Sequence, residues 1–216
     1  TAVEVLESNY NAGDLVTVVL TSTDAAGNET SVQLDNIKVY GAPEIFYNTA
    51  KDAIKQIDTV ENALFNVTAT DSHGAALTPT TSIYSGSQVG GNTITIRIYV
   101  IDAQGNSNEA FFTVKVYGLP TISDASVKDF RVEDGISIST LGVTATDSFG
   151  DLVINITAVL SSGTHGAGET LSYLITATDA LGNVNTRTIT GIRILGTPTI
   201  TFNTAKTAIK ATATIN

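Results

Sequence analysis

Six carboxylates fall into two matching sets along the chain: Glu44, Asp71 and Asp102, then Asp124, Asp147 and Asp179. Carboxylates joined by loop carbonyls are the hard oxygen donors that Ca²⁺ takes in groups of roughly 6–8. The six are therefore candidate calcium ligands, and a bound ion would neutralise clustered charge and stiffen the chain where they meet. A second role competes, because Asp ahead of a tight turn also accepts backbone N–H bonds, and no Asp-x-Asp-x-Asp-Gly loop is present. Other chemistry is sparse. The two histidines, His73 and His165, lie in Gly-rich loops and read as solvent-exposed loop residues. With no Cys there is no disulfide, thiolate metal site or Cys nucleophile. Nothing in the spacing assembles a Ser-His-Asp triad, and no Gly-rich phosphate loop precedes a helix. Tyr84, Tyr99 and Tyr117 are candidate exposed rings for sugar stacking, although Trp is absent. We assign no catalytic and no cofactor-binding residue, and expect a chain that is not an enzyme.

The elements that position these groups follow from composition and repetition. Among 216 residues, 21 acidic side chains stand against 11 basic ones, for a net charge of −10. Nucleic acid needs a basic footprint and anionic lipid attracts basic segments, so neither is an expected partner. No apolar run approaches the roughly 20 residues of a membrane-spanning helix. Hydrophobic residues make up 42% and charged residues only 15%, which indicates a folded chain. Thr occurs 34 times, and its branched Cβ fits a pleated strand better than a helix. The composition is that of an all-β protein.

Three independent markers share one period. Asp-Ala-x-Gly-Asn occurs at 24–28, 102–106 and 179–183, with spacings of 78 and 77 residues. Gly-x-Pro-x-Ile occurs at 41–45, 118–122 and 196–200, and Val-Thr-Ala-Thr-Asp-Ser-x-Gly at 67–74 and 143–150. Internal repetition of this kind identifies tandem units. The expected division is the C-terminal part of a repeat at 1–41, complete repeats at 42–118 and 119–196, and the start of another at 197–216. Thr1-Ala2-Val3 matches Thr157-Ala158-Val159, and Thr201–Lys210 is similar to Phe46–Lys55. The chain thus reads as a window on a longer array. Residues 1–41 could be completed by 197–216 of a neighbouring copy. Their combined length falls short of the period, which favours completion by other sequence.

Within a repeat the apolar period is two. Ile94, Ile96, Ile98 and Val100 alternate with Thr93, Thr95, Arg97 and Tyr99, as in a half-buried strand. Leu171, Tyr173, Ile175 and Ala177 repeat the pattern, and Phe112, Val114 and Val116 form the inward face of the following strand. Asp-Ala-x-Gly-Asn between the two strands reads as a hairpin turn. About seven short strands per period, with no helical periodicity, predict two-sheet sandwiches. In such a sandwich the loop bearing Asp71 or Asp147 and the turn bearing Asp102 or Asp179 fall at the pole where the preceding linker enters. Convergence of Glu44, Asp71 and Asp102, and of Asp124, Asp147 and Asp179, is the expectation. Asn28, Asn66 and Asn155 each begin an Asn-x-Thr triplet, a pattern that a Thr-rich chain produces readily.

These motifs resemble a bacterial immunoglobulin-like repeat family found in tandem on cell-surface proteins, S-layer proteins, adhesins and secreted enzymes. Residues 119–196 carry the family pattern as Pro120-Thr-Ile122, Val132-Glu-Asp-Gly135, Leu141–Asp147, Gly150-Asp-Leu152 and Tyr173–Asn183. Residues 42–118 depart from it, with Gly74-Ala-Ala in place of Gly-Asp-Leu and Ile96 in place of the Tyr. The resemblance implies tandem immunoglobulin-like β-sandwiches, extracellular on a bacterial surface. They would serve as a stalk or lattice element whose partners are neighbouring repeats and identical subunits. The alternatives are an accessory region of a secreted polysaccharide-degrading enzyme, or a carbohydrate-binding module.

Overall fold

A computed structural model describes residues 2–5, 9–124 and 128–202. The expected repeat start at 197–216 lies largely outside them, as does Thr1 in the match to Thr157. The described residues hold sixteen strands, one short 3-10 helix at Asn62–Phe65 and no α-helix. Contacts divide the chain into two units: Thr1–Leu119 with Asp147–Asp151 and Ala180–Asn183, and Pro120–Thr146 with Leu152–Asp179 and Val184–Asn216.

In the first unit, β1 (Ala2–Val5), β2 (Leu15–Thr23) and β3 (Glu29–Lys38) form an antiparallel sheet in sequence order. Seven further strands make a sandwich. One sheet joins β4 (Glu44–Phe46), β6 (Thr68–Thr70) and β7 (Ala76–Leu77) in that order. The other has the order β5-β10-β9-β8, from β5 (Ala53–Lys55), β8 (Thr80–Ser85), β9 (Thr93–Ile101) and β10 (Ser107–Tyr117). The segment entering the sandwich is divided between the sheets, since β4 pairs antiparallel with β6 while β5 pairs parallel with β10. Asn48 makes the crossing, with its Oδ1 accepting the Ala50 N–H at 3.0 Å.

The core is the alternation read from sequence. Ile94, Ile96, Ile98 and Val100 of β9 are at most 1% exposed. Ile94, Ile96 and Ile98 pack with Val114, Val116, Ile54, Phe65 and Val67. Each such aliphatic contributes about 1.5–3 kcal/mol when fully buried.

The second unit repeats the plan. β11 (Thr121–Ser123) pairs with β13 (Thr144–Thr146), which is bridged to Leu152. β12 (Asp129–Arg131), β14 (Asn155–Ser162), β15 (Thr170–Thr178) and β16 (Val184–Leu195) form a sheet in the order β12-β16-β15-β14, with β12 again parallel. Leu171, Ile175, Ala177, Ile192 and Ile194 fill its core at no more than 1% exposure, with Tyr173 beside them at 8%. Two sheets, antiparallel hairpins and an entering segment shared between sheets make these all-β, immunoglobulin-like sandwiches in tandem.

Candidate functional site

The candidate acids hold turns. At Asp102, Oδ1 accepts the N–H groups of Gln104 and Asn106 at 3.0 and 2.8 Å, and Oδ2 accepts Asn106 Nδ2–H at 2.9 Å. Gly105 follows at φ 90°, a conformation that costs a side-chain-bearing residue roughly 1–2 kcal/mol. Burial pushes the Asp102 carboxyl up, but the bonds from Asn106, Gln104 and Gly105 outweigh it and hold the pKa below the ordinary 3.8. Asp24 repeats the geometry with Ala26 and Asn28, and the Asn28 side chain is the main cause of its lowered pKa. Asp179 is buried at the matching place, 7% exposed like Asp102.

The second acidic motif forms the same turn. Asp71 Oδ1 accepts the N–H groups of His73 and Ala75, both at 2.9 Å. Asp147 Oδ1 accepts those of Phe149 and Asp151 at 2.8 and 3.0 Å. In each case the Asp N–H returns a bond to the carbonyl four residues on. Asp-Ala-x-Gly-Asn and Asp-Ser-x-Gly are thus one five-residue turn in two hairpins, the Asn adding a third bond.

The expected convergence is only partly present. Glu44 and Asp71 line one open depression of about 580 Å³ with Pro43, Thr70, Ser72 and Asn108, and Asp102 is not among its walls. Asp124 is ion-paired to Arg187 at 2.6 Å and to Lys128 at 3.8 Å. Among the described residues no three of Asp, Glu and His come together as a metal-holding group. A Ca²⁺ ion takes roughly 6–8 oxygens, and in these loops Oδ1 of Asp71, Asp102 and Asp147 already accepts two backbone N–H bonds each.

The residues the sequence reading overlooked sit beside these turns and fasten the linkers. Ser72 Oγ accepts the Gly41 N–H at 3.1 Å, and Ser148 Oγ accepts the Gly118 N–H at 3.0 Å. Two residues past each of these glycines a proline carbonyl is held. Asn108 Nδ2–H donates to Pro43 O at 2.9 Å, and Asn185 Nδ2–H to Pro120 O at 2.8 Å. A ring follows each serine. His73 packs edge-on against Tyr40 at 4.8 Å between centroids, and Phe149 against Tyr117 at 4.9 Å. The Lys115 ammonium lies 5.2 Å from the Phe149 ring. His73 Nε2–H also donates to the Val39 carbonyl at 3.1 Å; the acceptor is a carbonyl, so that nitrogen carries the proton.

His73 is therefore half-buried and engaged, a correction to its reading as a solvent-exposed loop residue. What repeats there is an aromatic ring, supplied by imidazole in one place and phenyl in the other. His165 is exposed, and its Nε2 lies 2.9 Å from Tyr173 OH. Gly91 shows how closely the loop fits: a Cβ there would lie 2.7 Å from Ser148 O. The signal was in the sequence, since Val-Tyr-Gly occurs at 39–41 and 116–118, and the turn asparagines are followed by Asn108 and Asn185 at one spacing.

Of the tyrosines, Tyr84 is 63% exposed and meets Phe111, 44% exposed, with ring centroids 4.9 Å apart at 71°. Tyr99 lies under Arg97, whose guanidinium is 4.9 Å above the ring and 2.8 Å from Glu109. Tyr117 is half-buried in the linker contact. No helix among the described residues is long and apolar enough to cross a membrane.

Fold and fastened linkers define a tandem of immunoglobulin-like sandwiches. No protein-family model matches the chain, and no curated protein matches it in sequence. Among solved structures it is similar to the protocadherin gammaB7 EC3-6 cis-dimer, at 12% identity and TM-score 0.30, over 85% of this chain and 58% of that one. It is also similar to the protocadherin gammaB4 extracellular domain, at 12% identity and TM-score 0.30, over 83% of this chain and 38% of that one. A third is the M60 catalytic domain with the CBM51-1 and CBM51-2 domains of Clostridium perfringens ZmpB, at 13% identity and TM-score 0.27, over 90% and 28%. The chain thus spans less than two thirds of each of these structures.

Proposed function

We propose that this chain is a non-catalytic spacer segment of a bacterial cell-surface protein, an S-layer lattice element or an adhesin stalk, exposed outside the cell. The observation that carries the reading is the recurrence of one linker fastening at two successive positions, Gly41–Ser72 and Gly118–Ser148, each beside a ring pair. Repeated geometry at a linker is what an array requires to hold its reach, whereas repeated chemistry would require the same reactive side chain each time. Both histidines have partners in their own surroundings, and the acids organise turns. The excess of negative charge keeps such an array soluble.

The test is mechanical and optical. Electron microscopy of the concentrated chain separates the two forms: ordered sheets identify the lattice element, and dispersed particles the stalk. Single-molecule stretching of the chain should give one unfolding peak per sandwich, and absence of discrete peaks would overturn the spacer role. Thermal unfolding with calcium and with excess chelator decides the ion question. A rise of many degrees with calcium would assign Glu44 and Asp71 to a cation and make the linker metal-controlled.

One observation favours a second reading, carbohydrate binding, either as a module in its own right or in an accessory region of a polysaccharide-degrading enzyme. Tyr84 and Phe111 expose their rings on a sheet face beside the Arg97–Glu109 pair, and such rings stack on sugars. A glycan array that retains the chain, and loses it on Tyr84→Ala, would move the assignment there.

A further inference from the structure

One outer sheet face carries a set of side chains that the fold does not require. On β9 and β10 of the repeat at 42–118, Arg97 lies opposite Phe111 and Tyr99 opposite Glu109. The same register in the repeat at 119–196 puts Leu174 opposite Thr188 and Thr176 opposite Thr186. In the β2-β3 pair it puts Val19 opposite Gln33 and Thr21 opposite Ser31. All three sheets form, so these places ask only for residues that suit a strand. Tyr84 completes the set. It is the extra residue of a β-bulge, since Ile83 pairs with Ile96 and Ser85 with Thr95. The other repeat keeps a bulge between Leu160 and Ser162 and places Ser161 in it. A bulge re-aims the side chain it adds, and only in one repeat is that side chain a ring.

The set has two halves. Tyr84 and Phe111 stand on strands separated by β9, and their rings meet edge to face at 71° to form an exposed corner. Beside it the Arg97 guanidinium lies over the Tyr99 ring, and its Nε–H donates to Glu109 Oε2 at 2.8 Å. Among the described residues that bond leaves both Arg97 Nη groups and Glu109 Oε1 without a further partner. A hexopyranose matches both halves. Its axial C–H groups present an apolar face that packs on an aromatic ring. Its rim of hydroxyls needs donors and acceptors together, which a guanidinium and a carboxylate supply side by side. The Arg97–Glu109 pair carries no net charge while the chain carries −10, so an anionic glycan is repelled and a neutral one is not. An open sheet face covers one side of its ligand, whereas a pocket buries most of it. Binding therefore needs contacts at several places along the face, which a polymer makes and a free monosaccharide does not.

We propose that the outer face of β8-β9-β10 binds a chain of neutral hexopyranose units, stacked at the Tyr84–Phe111 corner and hydrogen-bonded by Arg97 and Glu109. The proposal rests on the carbohydrate reading above and gives it a site and a ligand class. It leaves the linkers their spacer role, because the set belongs to one repeat and the fastenings to both.

The experiment uses the 216-residue chain and oligosaccharides of glucose, mannose and galactose, with oligogalacturonate as the anionic control. Amide shifts followed by NMR should respond to at least one neutral oligomer at Tyr84, Arg97 and Phe111. The matching amides of Ser161, Leu174 and Thr188 should stay in place. Tyr84→Ser with Phe111→Thr installs the residues that the other repeat carries, so the fold should persist. Affinity for that oligomer should then fall about tenfold or more, and Arg97→Leu should weaken it independently. Unaltered melting separates lost binding from lost structure, and a double variant that melts early leaves Arg97→Leu to decide. Absence of any shift with the neutral oligomers overturns the proposal, as does equal binding of oligogalacturonate. Shifts at the ring corner with a proline-rich peptide and with no sugar would overturn it in favour of a protein partner. Binding that survives all these substitutions overturns the site but keeps the carbohydrate reading, whereas a glycan array that never retains the chain ends both. Neither result touches the spacer role, which stretching reads separately.

Discussion

The fastening at Gly118 is open to a quantitative test. Ser148→Ala removes the hydroxyl oxygen that accepts the Gly118 N–H, at 3.0 Å, a neutral bond with a net value of about 0.5–1.5 kcal/mol. Phe149→Ala removes a ring in contact with Tyr117 at 4.9 Å and near the Lys115 ammonium at 5.2 Å. The ring pair contributes about 0.5–1.5 kcal/mol and an exposed cation–ring contact about 0.5–1 kcal/mol. The residues are adjacent and share one loop, so their effects need not add. The double variant should lose about 1.5–4 kcal/mol of local stability. At the lower figure, protection of the Gly118 amide from hydrogen exchange falls about tenfold. Amides of β9 around Ile96 should keep their protection, since that core makes no use of the loop. Native-state exchange by NMR reads both regions in one sample. Unchanged protection at Gly118 would refute the linker reasoning. An equal fall across Ile96–Val100 would refute it too, by showing that the loop supports the sandwich as a whole.

Further outcomes are expected elsewhere. His73→Phe should be tolerated within about 1 kcal/mol, because Phe149 already fills the matching place and only the bond to Val39 O is lost; thermal denaturation checks it. Ile96→Ala and Ile175→Ala each empty a fully buried aliphatic site and should cost about 2–5 kcal/mol, lowering the calorimetric transition of one sandwich while sparing the other. Gly105→Ala places a Cβ at φ 90° and should cost about 1–2 kcal/mol by chemical denaturation. The folded pKa values of Asp24, Asp102 and Asp129 lie below 3.8. Their contribution is therefore complete above that value and lost as pH falls through the folded pKa. Denaturant midpoints should hold steady at neutral pH and drop below about pH 4, and Asp102→Asn should flatten that drop.

Much of this fold was legible because its long strands alternate over many residues. Ile94 to Val100 and Leu171 to Ala177 announce their buried faces by a period of two. The hairpin turns were equally plain, because Gly27 and Gly105 sit where the chain needs positive φ. The division of the entering segment between two sheets was not legible. Strands of three residues, such as β4 and β5, have no period to read, and the parallel pairing of β5 with β10 is made by Ile54 in the core and by the backbone bonds Lys115 N–H to Asp52 O and Gln56 N–H to Tyr117 O. The surroundings of the acids were less legible for a related reason. Glu44 and Asp71 line one depression, but spacing does not show whether a carboxylate oxygen is free. That depends on whether the backbone N–H groups two and four residues on turn toward it, as they do at Asp71, Asp102 and Asp147.

The comparison of His73 with Phe149 bears on where function should be sought in this chain. Imidazole and phenyl share shape and an aromatic face but differ in acid–base chemistry. A position that accepts both is set by packing against Tyr40 and Tyr117. Ser72 and Ser148, Asn108 and Asn185, and the turn aspartates keep their identity across repeats, and each makes a bond to backbone. What repeats here is therefore the geometry of turns and linkers. Features that belong to one place only have no such explanation. Tyr84 with Phe111 occurs in one repeat, where the other carries Ser161 and Thr188. What repeats is thus the bonding of turns and linkers, and the Tyr84–Phe111 ring pair is a feature of one repeat that this bonding does not explain.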